Sequence, residues 1–163
     1  MAADDKLRRT KPDPALDLDA FLPYRLSILS NTISGALAES YSDRFGLSVP
    51  EWRVMAVLGR YTGISAAEVA ARTAMDKVAV SRAVSRLLEA GRIRRRFANA
   101  DRRRSILELS SAGRRIYRRL TPILLRYQQD LLAALDDRER QQLDRILTRL
   151  DDQARRLGSP RID

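Results

Sequence analysis

The sequence predicts a mainly α fold carrying one small β-hairpin, and three observations predict it. Leucine-rich stripes with helical period run through both ends of the chain. Between them, two short helical segments rich in small residues follow each other across a tight turn. Directly after these comes an alternating, arginine-dense segment that reads as two strands and a turn.

Taken in order, residues 1–15 are polar, carry Pro12 and Pro14, and read as a mobile arm. Leu18, Leu22, Leu26, Leu29, Ile33 and Leu37 then recur every three or four residues, a helical stripe closed by Gly46. Pro23 marks either the start of the regular helix or a kink in it. A second helix opens at Ser48-Val49-Pro50-Glu51, where Ser48 and Glu51 can cap reciprocally and Pro50 loses no hydrogen bond in the first turn. Ser65 and Glu68 repeat that box, with Ile64 placed as a hydrophobic staple, for a short helix to about Thr73. Asp76 caps the next helix, which runs to Glu89 and is closed by Gly91.

Residues 93–97 and 105–109 alternate as strands around a turn at Asn99-Ala100-Asp101-Arg102. A long helix over about 111–135 follows, with a kink expected at Pro122. Asp136 and Glu139 cap a last helix bearing Leu143, Ile146, Leu147, Leu150 and Leu157 on one stripe. The chain thus divides into a winged helix-turn-helix head, 47–110, and a helical dimerisation region, 16–46 with 111–158. The terminal stripes are more apolar than so small a head can cover, so they call for a second copy of the chain and predict a homodimer.

Lys and Arg outnumber Asp and Glu by 31 to 21, a net +10 that favours a polyanionic partner, nucleic acid or an anionic membrane surface. The absence of cysteine and histidine removes thiolate nucleophiles, thiolate metal sites and the commonest general base. No catalytic residue, metal site or cofactor is therefore assigned, and no enzyme activity is expected. The first residues lack a signal-peptide core, and no apolar run approaches the roughly 18 residues of a membrane span, so the cytoplasm is the expected compartment, with no membrane partner.

On the helix from Lys77, the positions Val80, Val84, Leu87 and Leu88 share one face. The remaining surface offers Lys77, Ala79, Ser81, Arg82, Ser85 and Arg86. Small and hydroxyl side chains let a helix approach the floor of a major groove, where Arg and Lys reach guanine acceptors. Residues 91–104 hold seven arginines against one acid, +6 of the chain's +10, a concentration that calls for phosphates as counter-charge. The candidate wing contacts are Arg94, Arg95, Arg96, Asp101, Arg102, Arg103 and Arg104. Arg114, Arg115, Arg118 and Arg119 read as a solvated helix face. The expected partner is double-stranded DNA. Sequence-specific regulation and non-specific architectural binding without an effector both remain open from these residues.

The stretch from Leu47 to Met55, with Gly91-Arg92-Ile93-Arg94-Arg95-Arg96, Asp101-Arg102-Arg103 and Leu109-Ser110-Ser111-Ala112-Gly113, resembles the MarR family of regulators over roughly residues 20–155. Arg92 stands where that family usually has an apolar residue, and Ser110 where Thr is commoner. The resemblance implies a dimer held by the first and last helices, two winged heads on a pseudo-palindrome, and release by a ligand, usually from repression. It also implies that Asp101 steadies Arg103 in a minor groove. A small aromatic anion between head and dimer region would be its effector, with Tyr24, Arg25, Trp52 and Arg53 as candidate walls and anchor.

Overall fold

Residues 16–98 and 101–158 are described in a computed structural model, Ala98 and residues 101–104 by their backbone alone. The arm assigned to residues 1–15 lies outside the described residues. Helix α1, Leu22–Phe45, begins with Pro23 in its first turn, so this proline marks a start and not a kink. It stops where Gly46 takes φ 55° and donates its N–H to the Ser42 carbonyl.

Helices α2, Val49–Arg60, and α3, Ala66–Thr73, both start with the expected capping boxes. Ser48 N–H donates to Glu51 Oε2 at 2.7 Å, and Ser65 N–H to Glu68 Oε2 at 2.8 Å. Asp76 accepts from Ala79 N–H at 2.8 Å and opens α4, Lys77–Glu89. Strands β1, Ile93–Ala98, and β2, Asp101–Leu109, pair antiparallel, with Ile93 opposite Leu109 and Phe97 opposite Ser105.

Three details differ from expectation. β2 begins at Asp101, so Asp101 and Arg102 belong to the strand, and the register shifts between Phe97 and Ala98. Ile64 serves as more than a staple: it forms an isolated bridge to Leu107, whose N–H donates to the Ile64 carbonyl at 2.8 Å. Helix α5, Ser111–Leu132, ends three residues short of the expected 135 and holds Pro122 in its interior.

The core lies in the head, where Val54, Met55, Leu58, Val69, Leu87, Leu107 and Leu109 are almost wholly buried. Tyr41 of α1 and Leu120 of α5 reach into it, and so fasten the head to the long helices. Helix α6, Asp137–Leu157, has no buried residue. Its apolar stripe, like the N-terminal half of α1, is open along the single chain.

Candidate nucleic-acid interface

Helix α4 buries Val80, Ala83, Val84 and Leu87 and turns Lys77, Ser81, Arg82, Ser85 and Arg86 outward, with Ala79 half-buried. Lys77, Arg82 and Arg86 have no ion pair among the described residues. Their charge is therefore available to an outside partner. Val78, missed in the sequence, is 58% exposed on the first turn. Its offset of two positions from Val80 already signalled a different face from the core stripe, and an exposed valine there suits a thymine methyl.

The hairpin arginines divide by strand alternation. Ile93, Arg95 and Phe97 share a face, on which Ile93 is buried against the core and Arg95 lines a cleft of about 320 Å³ with Lys77, Ser81 and Ser85 of α4. Arg94 and Arg96 lie on the opposite face, their Nε atoms 2.9 and 2.7 Å from the same Glu108 oxygen. Arg92 donates from Nη1 to the Gly46 carbonyl at 3.1 Å and from Nη2 to the Phe45 carbonyl. Of the four hairpin arginines whose side chains are described, Arg92, Arg94 and Arg96 thus find internal partners, and Arg95 has no ion pair among the described residues. The side chains of Asp101, Arg102, Arg103 and Arg104 lie outside the described residues.

The four candidate effector residues do not line one cavity. Trp52 stacks with Tyr117 at 6.0 Å and borders a largely apolar cavity of about 360 Å³ with Ile33, Leu37 and Leu124. Tyr24 and Arg25 line a separate groove toward the start of α1, beside Leu18, Ile28 and Leu29. Arg53 points to α1, where it donates to Ser34 Oγ at 3.2 Å. It also faces Tyr41, whose phenol burial pushes above its ordinary pKa, with the Arg53 charge partly opposing that rise. Tyr41 and Tyr117, both within 6.0 Å of Trp52, were not singled out in the sequence, because only the fold stacks them.

Comparisons with known proteins bear on this arrangement. Residues 45–104 match the model of the MarR family. The chain is 29% identical over 105 residues to the HTH-type transcriptional regulator BilQ of Clostridium symbiosum, covering 64% of this chain and 73% of that protein. It is similar along 86% of its length, and 98% of the other chain, to the PcaV transcriptional regulator of Streptomyces coelicolor solved with its natural ligand, at 26% identity and a TM-score of 0.72. Residues 45–104, the greater part of the head, are thus of the MarR type, and the chain as a whole resembles regulators of that family. It is a transcriptional regulator with a winged helix-turn-helix fold, not an enzyme. FabT of Streptococcus pneumoniae, solved in complex with DNA, shares the fold at 22% identity and a TM-score of 0.68, over 83% of this chain and 96% of that one.

In this MarR-like regulator the Leu-Ser-x-x-Gly stretch has a physical explanation. Leu109 is buried, and the Ser110 hydroxyl accepts from Gly113 N–H at 3.1 Å while donating to the Gly91 carbonyl at 2.7 Å. Ser110 N–H donates to the Arg92 carbonyl at 3.0 Å. Gly113 lies so close to that carbonyl that a Cβ would fall 1.9 Å from its oxygen. The stretch is a joint fastening α5 to the foot of the hairpin.

Proposed function

We propose that this regulator binds a pseudo-palindromic operator as a homodimer in the cytoplasm, and that a small aromatic anion releases it from repression. The observation that carries the reading is the outward face of α4, with three cations that have no ion pair among the described residues, set among small side chains beside an arginine-bearing hairpin. In this reading α4 enters the major groove, Arg82 and Arg86 reach base edges, Lys77 and Arg95 contact phosphate, and the wing enters the minor groove with Asp101 steadying Arg103. Arg82→Ala or Arg86→Ala costs about 1–3 kcal/mol on the operator and less on random duplex. Equal losses on both would reduce these residues to phosphate contacts. The same titration of Asp101→Ala at several salt concentrations reads the wing. Weaker binding, despite the loss of an acid beside DNA, supports the positioning role, and tighter binding at every salt removes it.

For the effector, the stacked Trp52 and Tyr117 rings offer an apolar wall, and Arg53, next to Trp52 on α2, is the candidate anchor, Arg25 belonging to the separate groove at the start of α1. Trp52 is the chain's one tryptophan, so its fluorescence reports on that cavity alone. Titration with benzoate and its hydroxylated relatives is expected to quench it saturably, and Arg53→Ala to weaken the response. An unchanged emission throughout would place any effector elsewhere.

A further inference from the structure

Where β2 hands over to α5, the end of α1 and the first turns of α5 enclose an open hollow of about 440 Å³ that the DNA-binding reading does not use. Arg44 and Phe45 of α1 and Ala112, Arg115, Ile116 and Arg119 of α5 line it. The guanidiniums of Arg44 and Arg119 both lie over the Phe45 ring, 5.6 and 5.7 Å from its centroid. That contact holds each head while leaving its N–H donors free. None of the three arginines has an ion pair or hydrogen bond among the described residues, and no acid lines the hollow.

The ordinary structural task for a cation here is to satisfy the last carbonyls of α1. Arg92 already performs it, donating to the Phe45 and Gly46 carbonyls. Arg44 and Arg119 share that aromatic floor and Arg115 lines the same hollow, so their like charges repel one another until an anion enters. Guanidinium forks match carboxylate and phosphate oxygens alike. Three forks from two helices suit an anion with more than one charge and oxygens on several sides, which a single carboxylate is not. The hollow also sits at the foot of the hairpin, and the six residues of β1 put about 20 Å between it and the turn, at about 3.3 Å per residue.

We propose that the Phe45 hollow is a binding site for a free phosphoryl polyanion of the pyrophosphate or nucleoside-polyphosphate class, separate from both the DNA face and the aromatic cavity. The test is calorimetric titration of the full chain with pyrophosphate, each variant first checked for a parental melting temperature. Saturable binding is expected, weakened about tenfold or more in the Arg115→Ala/Arg119→Ala double variant, a difference of about 1.4 kcal/mol. Arg44→Ala, on the opposite wall, should weaken it as well. Arg114→Ala/Arg118→Ala makes the same charge change on the same turns of α5 outside the hollow, and should keep parental affinity. Equal losses in the two double variants, or no saturable binding by the parent, would overturn the site. A parent that ignores pyrophosphate but loses DNA affinity on Arg115→Ala/Arg119→Ala would make the occupant DNA backbone, and would overturn the small-anion proposal too.

Discussion

Gly113→Ala is expected to lower the stability of the chain by about 2 kcal/mol, although it replaces a helical glycine by the best helix former. Propensity alone predicts a gain of up to about 1 kcal/mol. Against it stands a Cβ that would lie 1.9 Å from the Arg92 carbonyl oxygen and 3.0 Å from its carbon. Overpacking costs about 1–3 kcal/mol, and here the upper end applies, because the obstacle is backbone and cannot rotate away. To make room, the start of α5 must leave the hairpin, which breaks the bond from Ser110 N–H to the Arg92 carbonyl. A melt should show the midpoint lowered by roughly 4–8 °C for a chain of this size. A midpoint equal to or above the parent's would show that the joint is loose.

The largest effect on DNA binding is expected from Ile146→Glu combined with Leu150→Glu, two positions distant from the head. Ile146 is 52% and Leu150 37% exposed on a helix with no buried residue, and Leu22 and Leu29 of α1 are equally open. Area left uncovered along α1 and α6 is what a second copy would bury, and buried unpaired glutamates would oppose that association. A dimer that falls to monomer loses the gain from linking two heads, about a hundred- to ten-thousand-fold in operator affinity. Sedimentation and operator titration read the two effects separately. A parent that is already monomeric at micromolar concentration would contradict the dimer.

Local chemistry explains why so much of the fold was legible in the sequence. Ser48, Ser65, Asp76 and Asp136 cap helices using partners three residues away, and β alternation separates Arg95 from Arg94 and Arg96. The missed features are long-range. Arg92 stood out as a polar residue in an apolar place, but its acceptor lies 46 residues earlier, at Gly46. Glu108 seemed an ordinary strand residue until the register set it directly across from Arg94. Trp52 and Arg25 suited one ligand by type, yet α1 carries Arg25 about two helical turns before Ile33, which borders the Trp52 cavity. Side-chain types show what a site could bind, but only packing decides which of them meet.

The most direct test of the central reading is a nuclease footprint on a duplex selected by the protein from random sequences. Two α4 helices related by a two-fold axis must enter successive major grooves on one face of the duplex. The protected segment should therefore contain inverted half-sites about 10 base pairs apart, centre to centre, with protection vanishing in the Arg82→Ala/Arg86→Ala variant. A single asymmetric half-site, or uniform protection without a selected sequence, would contradict a symmetric regulator that reads DNA through α4.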